Sequence, residues 1–345
     1  MRSMLSAILF GAAAAGVAHG APVAEALQRP ALLVRDPAHA VLLNAAWAGH
    51  RIVAVGERGI IAVSDDEGKR WKQIAAPVSV SLTGVRFADE RNGVAIGHGG
   101  VVLTTADAGN TWGVRLDGKQ AARIVADAAQ SAGDAAMVRV AEQLKADGAD
   151  KPFFDVVLFD RGQMLVVGAY GLAFYSDDGG AHWTSWMGRL DNPRALHLYA
   201  ARRRGDSVVL VGEQGLLLAS ADQGKTFKRL EAPYKGSFFT VELPTSGEIL
   251  VAGLRGNVWR SPDNGASWAQ VKSPMPATIT ASATAADGSV LLANQAGFIL
   301  RARDGVVVPL SRAPVAMPSG LLAYPDGRLL AVGMEGASQV PFAAR

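Results

Sequence analysis

Cysteine is absent from all 345 residues, and that absence removes several chemistries at once. A disulfide framework, an iron–sulfur cluster, a Cys-ligated zinc, a cysteine nucleophile and a lipid anchor on a Cys thiol are excluded. Charge is sparse too. Charged residues make up 19% and the formal net charge is +3, with both signs interspersed, which leaves no electrostatic footprint for nucleic acid. The six histidines, at 19, 39, 50, 98, 182 and 197, show no ligand spacing, so no metal is expected. No Gly-x-Ser-x-Gly elbow occurs, and no phosphate-binding loop with Lys-Ser/Thr before a helix. No cofactor is expected. After the N-terminus, no run reaches the ~18 apolar residues that a spanning helix needs.

What is present is apolar and glycine-rich: 49% hydrophobic residues and 39 Gly, ample for a packed core. The length suggests about two ordinary domains, although closed all-β folds run past ~200 residues as one. Residues 1–20 read as a secretory signal. Arg2 gives the positive start, Leu5–Val17 the short apolar stretch, and Ala18 and Gly20 the small residues before a cut at Ala21. The mature protein, residues 21–345, is therefore expected to be soluble, exported and periplasmic.

A repeat governs the rest. Five segments share a β-rich run ending in Gly, two variable residues, Gly, a second β-run, then Ser/Thr-x-Asp-x-Gly-x-x-aromatic. They close on Ser64, Asp66, Gly68 and Trp71; on Asp107, Gly109 and Trp112; and on Asp178, Gly180 and Trp183. Two further closures are Asp222, Gly224 and Phe227, and Asp263, Gly265 and Trp268. Weaker copies carry Gly297 and Gly333–Gly336. The second Gly falls at 59, 100, 171, 215, 256, 297 and 336, a spacing near 41 with one longer gap of 71. Seven β-patterned copies of this length predict a seven-bladed β-propeller of four strands per blade.

In the first copy, 41–47, 51–55, 60–64 and 71–74 are the four expected strands, innermost first. The Gly56–Gly59 turn is expected to use both glycines at positive φ. The aromatic is expected to pack between blades. The last copy lacks a fourth strand, and Ala31–Val34 is expected to supply it and close the ring.

The loop with its Ser/Thr-Trp ending resembles the Asp-box, or BNR, repeat. The longer phrase GVRFADERNGVAIGHGGVVLTTADAGNTW (84–112) is similar to the photosystem II stability/assembly-factor-like propellers. That resemblance covers about residues 40–340. It implies a non-catalytic seven-bladed scaffold that assists a membrane protein complex. For the bacterial branch, it implies a partner of the resistance–nodulation–division type, an inner-membrane exporter or its assembly intermediate, with any membrane association passing through that partner.

One segment breaks the pattern. Residues 117–150 lose β-branched alternation and become Ala-rich, predicting a projecting hairpin of helices at Lys119–Ala129 and Asp134–Ala146 between blades two and three. Ile124, Val125 and Ala128 would line one helix and Met137, Val140, Ala141 and Leu144 the other, with Ser131 and Asp134 as N-caps and Gly148 as the stop. In a four-stranded blade this insert shares a face with the Gly-x-x-Gly turns, which makes that face the expected interaction surface. Its candidate partner-binding residues are Arg58, His98, Tyr170 and Arg255 on the turns, Arg189 and Tyr234 on neighbouring loops, and Arg123 and Arg139 on the insert.

Arg202–Arg204 reads as a turn on the opposite face, with a solvated turn favoured over contact with lipid headgroups. Two alternatives stay open. A sialidase-like hydrolase needs an arginine cluster, a Tyr–Glu nucleophile pair and an Asp acid. Arg58, Arg255, Tyr170 and Glu213 offer parts of that set, but Arg51-Ile52-Val53 lacks the usual Arg-Ile-Pro landmark. A glycan-binding module is the other.

Overall fold

The computed structural model describes residues 25–341; the proposed signal segment lies outside them. The chain forms seven antiparallel sheets in sequence order, spanning 42–74, 82–116, 153–185, 198–229, 238–271, 279–309 and 318–339. Six have four strands and the seventh has three. In each sheet the strands pair with their chain neighbours, and the innermost strands touch in ring order, the seventh against the first. The second strand of every sheet is apolar and buried along almost its whole length, as in Arg51–Gly56 and Met164–Gly168. A strand covered on both faces needs such an unbroken β-branched run rather than alternation.

The turn between second and third strands differs from expectation. Gly56 is extended, at φ −161°, whereas the left-handed position is held by Arg58, at φ 54°, together with Gly59 at 76°. Gly56 is needed for a different reason: a Cβ there would collide with the carbonyl of Val41. The same approach recurs at Gly97, Gly168, Gly212, Gly253 and Gly333, each against the carbonyl that precedes its own inner strand.

Ala31–Val34 does not add a strand to the seventh sheet. It runs along the outer edge of the first, where the Ala31 N–H donates to Ala76 O at 3.0 Å. The Gln73 side chain donates to Leu32 O at 3.0 Å and accepts from the Val34 N–H at 2.7 Å. Gln73 thus satisfies backbone groups that a ladder would otherwise need, and Pro30 brings no donor of its own. The ring closes through side chains instead. Trp47 Nε1 donates to Ala323 O at 2.9 Å, and its ring meets Tyr324 edge-on at 5.0 Å. The Tyr324 hydroxyl donates to Glu67 O at 2.8 Å, and Arg328 pairs with Glu67 at 2.8 Å.

The insert forms α1 (Gly118–Ala132) and α2 (Ala135–Asp147). Asp117 caps α1 in a reciprocal box with Gln120; Ser131, expected as a cap, lies inside α1, and Asp134 caps α2. Gly133 and Gly148 end the helices at φ 65° and 77°. The hairpin is seated on the ring rather than projecting from it. Ala121, Ala122, Val125, Ala141 and Leu144 pack against Leu116, Phe153, Phe174 and Trp183 of the second and third sheets. The buried face of α1 therefore runs through Ala129, and Ala128 is exposed. Burying Val125 and Leu144 supplies about 1.5–3 kcal/mol each, enough to hold a short hairpin in place.

Candidate site at the channel mouth

The two ends of the ring can be told apart by hydrogen bonds. In six of the seven sheets the turn between second and third strands donates back to the residue before its inner strand, as Glu57 N to Val41 O at 3.1 Å and Glu213 N to His197 O at 3.0 Å. The first hairpin and the Asp-containing loop meet at the other end, as Ala108 N to Arg91 O at 3.0 Å. We call these the mouth end and the loop end. The base of α1 abuts the turn His98–Gly100, so the insert begins at the mouth end as the topology requires.

At the loop end the repeated residues build one motif. Ser64 Oγ donates to Asp66 Oδ1 at 3.0 Å and accepts from Gly68 N at 2.8 Å; Asp66 Oδ1 accepts from Arg70 N at 2.8 Å; and Trp71 Nε1 donates to Gly68 O at 3.0 Å. The polar pattern recurs at Asp107, Asp178, Asp222 and Asp263. These carboxyls are held at about 2. The main cause is the side chain of Arg70, Thr111, Ser220 or Ser267 for four of them, and the His182 backbone N–H for Asp178. Trp71, Trp112, Trp183, Phe227 and Trp268 each pack between adjacent sheets. Trp268 breaks the pattern: Leu230 lies against Gly265, and the buried Trp268 Nε1 has no partner. These residues hold the fold.

The mouth end is built differently. Every inner strand carries a β-bulge at its second residue, where one residue falls out of register: Leu43, Thr83, Phe154, Tyr199, Phe239, Thr280 and Ser319. A bulge re-aims the unpaired side chain, and these seven line a cavity of about 470 Å³ at the axis of the ring. The ring of bulges is lopsided. Phe154, Tyr199 and Phe239, on adjacent sheets, form an aromatic crescent with centroids 5.6 and 5.0 Å apart. His197 joins it, 6.4 Å from Phe154 and 4.8 Å from Tyr170. Opposite the crescent, Thr83, Thr280 and Ser319 bring hydroxyls beside the apolar Leu43, and Thr83 and Thr280 donate to the carbonyls of Phe153 and Pro318 on the next sheet, at 2.6 and 3.1 Å.

Beneath the crescent lies a layer of buried charge. Asp155 pairs with Arg86 at 2.9 Å and with Arg202 at 2.7 Å; Arg202 also pairs with Glu242 at 3.2 Å. Ser282 and Thr284 donate to Glu242 at 2.7 and 2.9 Å. Burial alone would raise the Asp155 carboxyl, but the two guanidiniums outweigh it and hold it below its ordinary range. Burial, reinforced by the charge of Arg202, lowers Arg86.

Of the sequence candidates, Arg58, His98, Tyr170 and Arg255 sit exposed at turn tips of the mouth end. Tyr170 and Glu213 converge on His197: the Tyr170 N–H donates to His197 Nδ1 at 2.9 Å, and the His197 N–H donates to Glu213 Oε2 at 3.3 Å. Lys151 lies over the Tyr170 ring at 5.1 Å. Arg189 caps the Trp186 ring at 4.8 Å, and Tyr234 is half-buried against Phe238. Arg58 and Arg255 belong to the first and fifth sheets, which are not neighbours in the ring. Arg123 and Arg139 are exposed on the insert. The Arg202–Arg204 run is no surface patch: Arg202 enters the buried layer, Arg203 pairs with Asp160 at 3.1 Å, and Arg204 donates to the carbonyls of Pro244, Gly247 and Glu248. Among the described residues no His/Asp/Glu cluster is arranged to hold a metal, and no helix is long and apolar enough to cross a membrane.

No family model and no curated protein matches the chain. Solved structures do. YCF48 bound to D1 peptide superposes with a TM-score of 0.66 at 17% identity, over 92% of this chain and 99% of that one. YCF48 from Cyanidioschyzon merolae gives 0.63 at 15% identity over 91% and 98%, and the WD40 propeller domain of Doa1 gives 0.64 at 8% over 92% and 96%. The fold is that of a β-propeller. In this propeller the aromatic crescent was missed by motif reasoning, because no local signature marks it. The signal lies in the repeat alignment: each bulged residue stands 13 or 14 positions before the residue that opens its turn.

Proposed function

We propose that the protein is a non-catalytic scaffold whose channel mouth receives a segment of a protein partner. The carrying observation is the asymmetric ring of bulges, in which three adjacent aromatic rings face hydroxyl-bearing residues across a cavity of about 470 Å³. Aromatic anchors in a concave, partly dry site are the usual seat of binding energy in protein recognition. Exposed Arg58, Tyr170 and Arg255 around the opening add a polar rim. The D1 peptide seen on a structure of the same fold supports a peptide-sized occupant. Catalysis is disfavoured because Tyr170 and Glu213 meet through a histidine rather than through each other.

The reading extends to an exported, periplasmic protein serving an inner-membrane exporter of the resistance–nodulation–division type or its assembly intermediate. Its support is the apolar N-terminal stretch and the repeat resemblance. The test is in-cell photocrosslinking from residue 170, combined with Tyr199→Thr and Phe239→Thr, which place at those bulges the residue that the second and sixth sheets already carry. An exporter subunit should be captured by the parent and lost from the double variant, with the melting transition still cooperative. Equal capture by both would refute the mouth as the docking site.

A further inference from the structure

We propose that the cleft between the second and third sheets, at the loop end, is a second binding site and takes a small acidic sugar. A cavity of about 790 Å³ lies there, against about 350 Å³ for the corresponding cleft between the fourth and fifth sheets. The difference has a side-chain cause. At other seams an arginine crosses from one sheet to the next: Arg51 reaches Ala108 O and Asn110, Arg203 reaches Asp160, Arg204 reaches the Pro244–Glu248 turn, and Arg328 reaches Glu67. At the second seam Arg91 turns back to Ala106 O of its own sheet, and Gly113, Gly162 and Gly179 line the space that remains.

The lining suits a hydroxylated carboxylate. Arg115 donates from Nε to Thr104 Oγ1 at 2.9 Å and forms no ion pair among the described residues, and neither does Arg161, whose turn holds it at φ 58°. The two acids on the wall are already engaged. Asp89 accepts from the backbone N–H groups of Arg91 and Asn92 and from Asn92 Nδ2, at 2.7–2.8 Å, and Asp160 is bound by Arg203. Two guanidiniums thus face an opening in which Arg203 balances Asp160 and Asp89 alone keeps an uncompensated charge, a surplus of positive charge that favours an anion. Gln163 supplies a further polar group, and Val94, Leu158 and Met164 form an apolar floor for a ring face. An apolar floor with a few convergent polar groups is the ordinary anatomy of a small-molecule site.

The site lies at the opposite end from the mouth, so its test is independent of the partner reading. Ligand-observed NMR on the full chain would use glucuronate and N-acetylneuraminate as probes, with glucose and glutamate as controls. Saturable binding of an acidic sugar is expected, with glucose and glutamate weaker by about tenfold or more, since each loses one half of the recognition. Arg161→Asn, which tolerates the left-handed backbone, and Arg115→Gln should each weaken the acidic sugar about tenfold while melting is unchanged. Binding of glutamate as tight as that of glucuronate would overturn the sugar class. Absence of binding by both acidic sugars, or affinity indifferent to both arginine variants, would overturn the site.

Discussion

The two ends of this ring share one repeated backbone and treat side chains in opposite ways. At the loop end, five loops keep the same Ser/Thr, Asp and Gly in the same hydrogen bonds. At the mouth end, seven equivalent bulges carry Leu43, Thr83, Phe154, Tyr199, Phe239, Thr280 and Ser319. The reason is local. Ser64 and Asp66 close their own loop, so a change there removes a bond the backbone relies on. A bulged residue has left the ladder, so the sheet places little demand on its side chain. Repetition therefore marks what holds the ring, and departure from repetition marks where it can recognise something.

Four substitutions probe that division. The largest effect should come from Asp155→Ala, which strips the layer between the two ends of the acid shared by Arg86 and Arg202. Arg202 keeps Glu242, but the half-buried Arg86 loses its partner, at a cost of about 2–3 kcal/mol, below that of a fully buried pair, read as a lower urea midpoint; a loss below about 1 kcal/mol would show this layer to be solvated and part of the mouth. Next, Ser176→Ala removes the hydroxyl bonded to Gly180 N and Asp178 and should cost about 1 kcal/mol. Ser319→Ala at a bulge should stay within about 0.5 kcal/mol, and equal losses at the two serines would break the comparison. The smallest effect concerns acid. The five loop carboxyls sit at about 2 in the folded chain against an ordinary 3.8. A depressed folded value stabilises above the unfolded pKa, so this contribution is complete above about pH 4 and is lost as pH falls toward about 2. Thermal melts across that range should show the decline, shallower in Asp178→Asn; an identical acid profile in that variant would argue that the loops do not set it.

The loop end was readable because each repeat writes its motif in contiguous residues, and the break in pattern at 117–150 disclosed the two helices almost to their ends. The mouth was not. Phe154, Tyr199 and Phe239 are a set only after the ring closes and brings three distant strands side by side. Arg202 was likewise opaque: a run of three arginines reads as solvent-facing charge, yet strand alternation turns its first member inward toward Asp155 and Glu242. Ala31–Val34 had the composition of a strand, but the side chain of Gln73, distant in sequence, gave its backbone groups another partner. Ser131 offered a capping oxygen, while α1 continues past it to Gly133.

A circle needs a clasp, and here the clasp is an indole, a phenol and one ion pair where Trp47, Tyr324 and Arg328 span the junction of the last and first sheets. Among the described residues no strand is shared across it. Pulled from its two ends, such a toroid would part at this fastening and unwind one sheet at a time, and moving the termini to another junction would lock the original joint inside continuous chain.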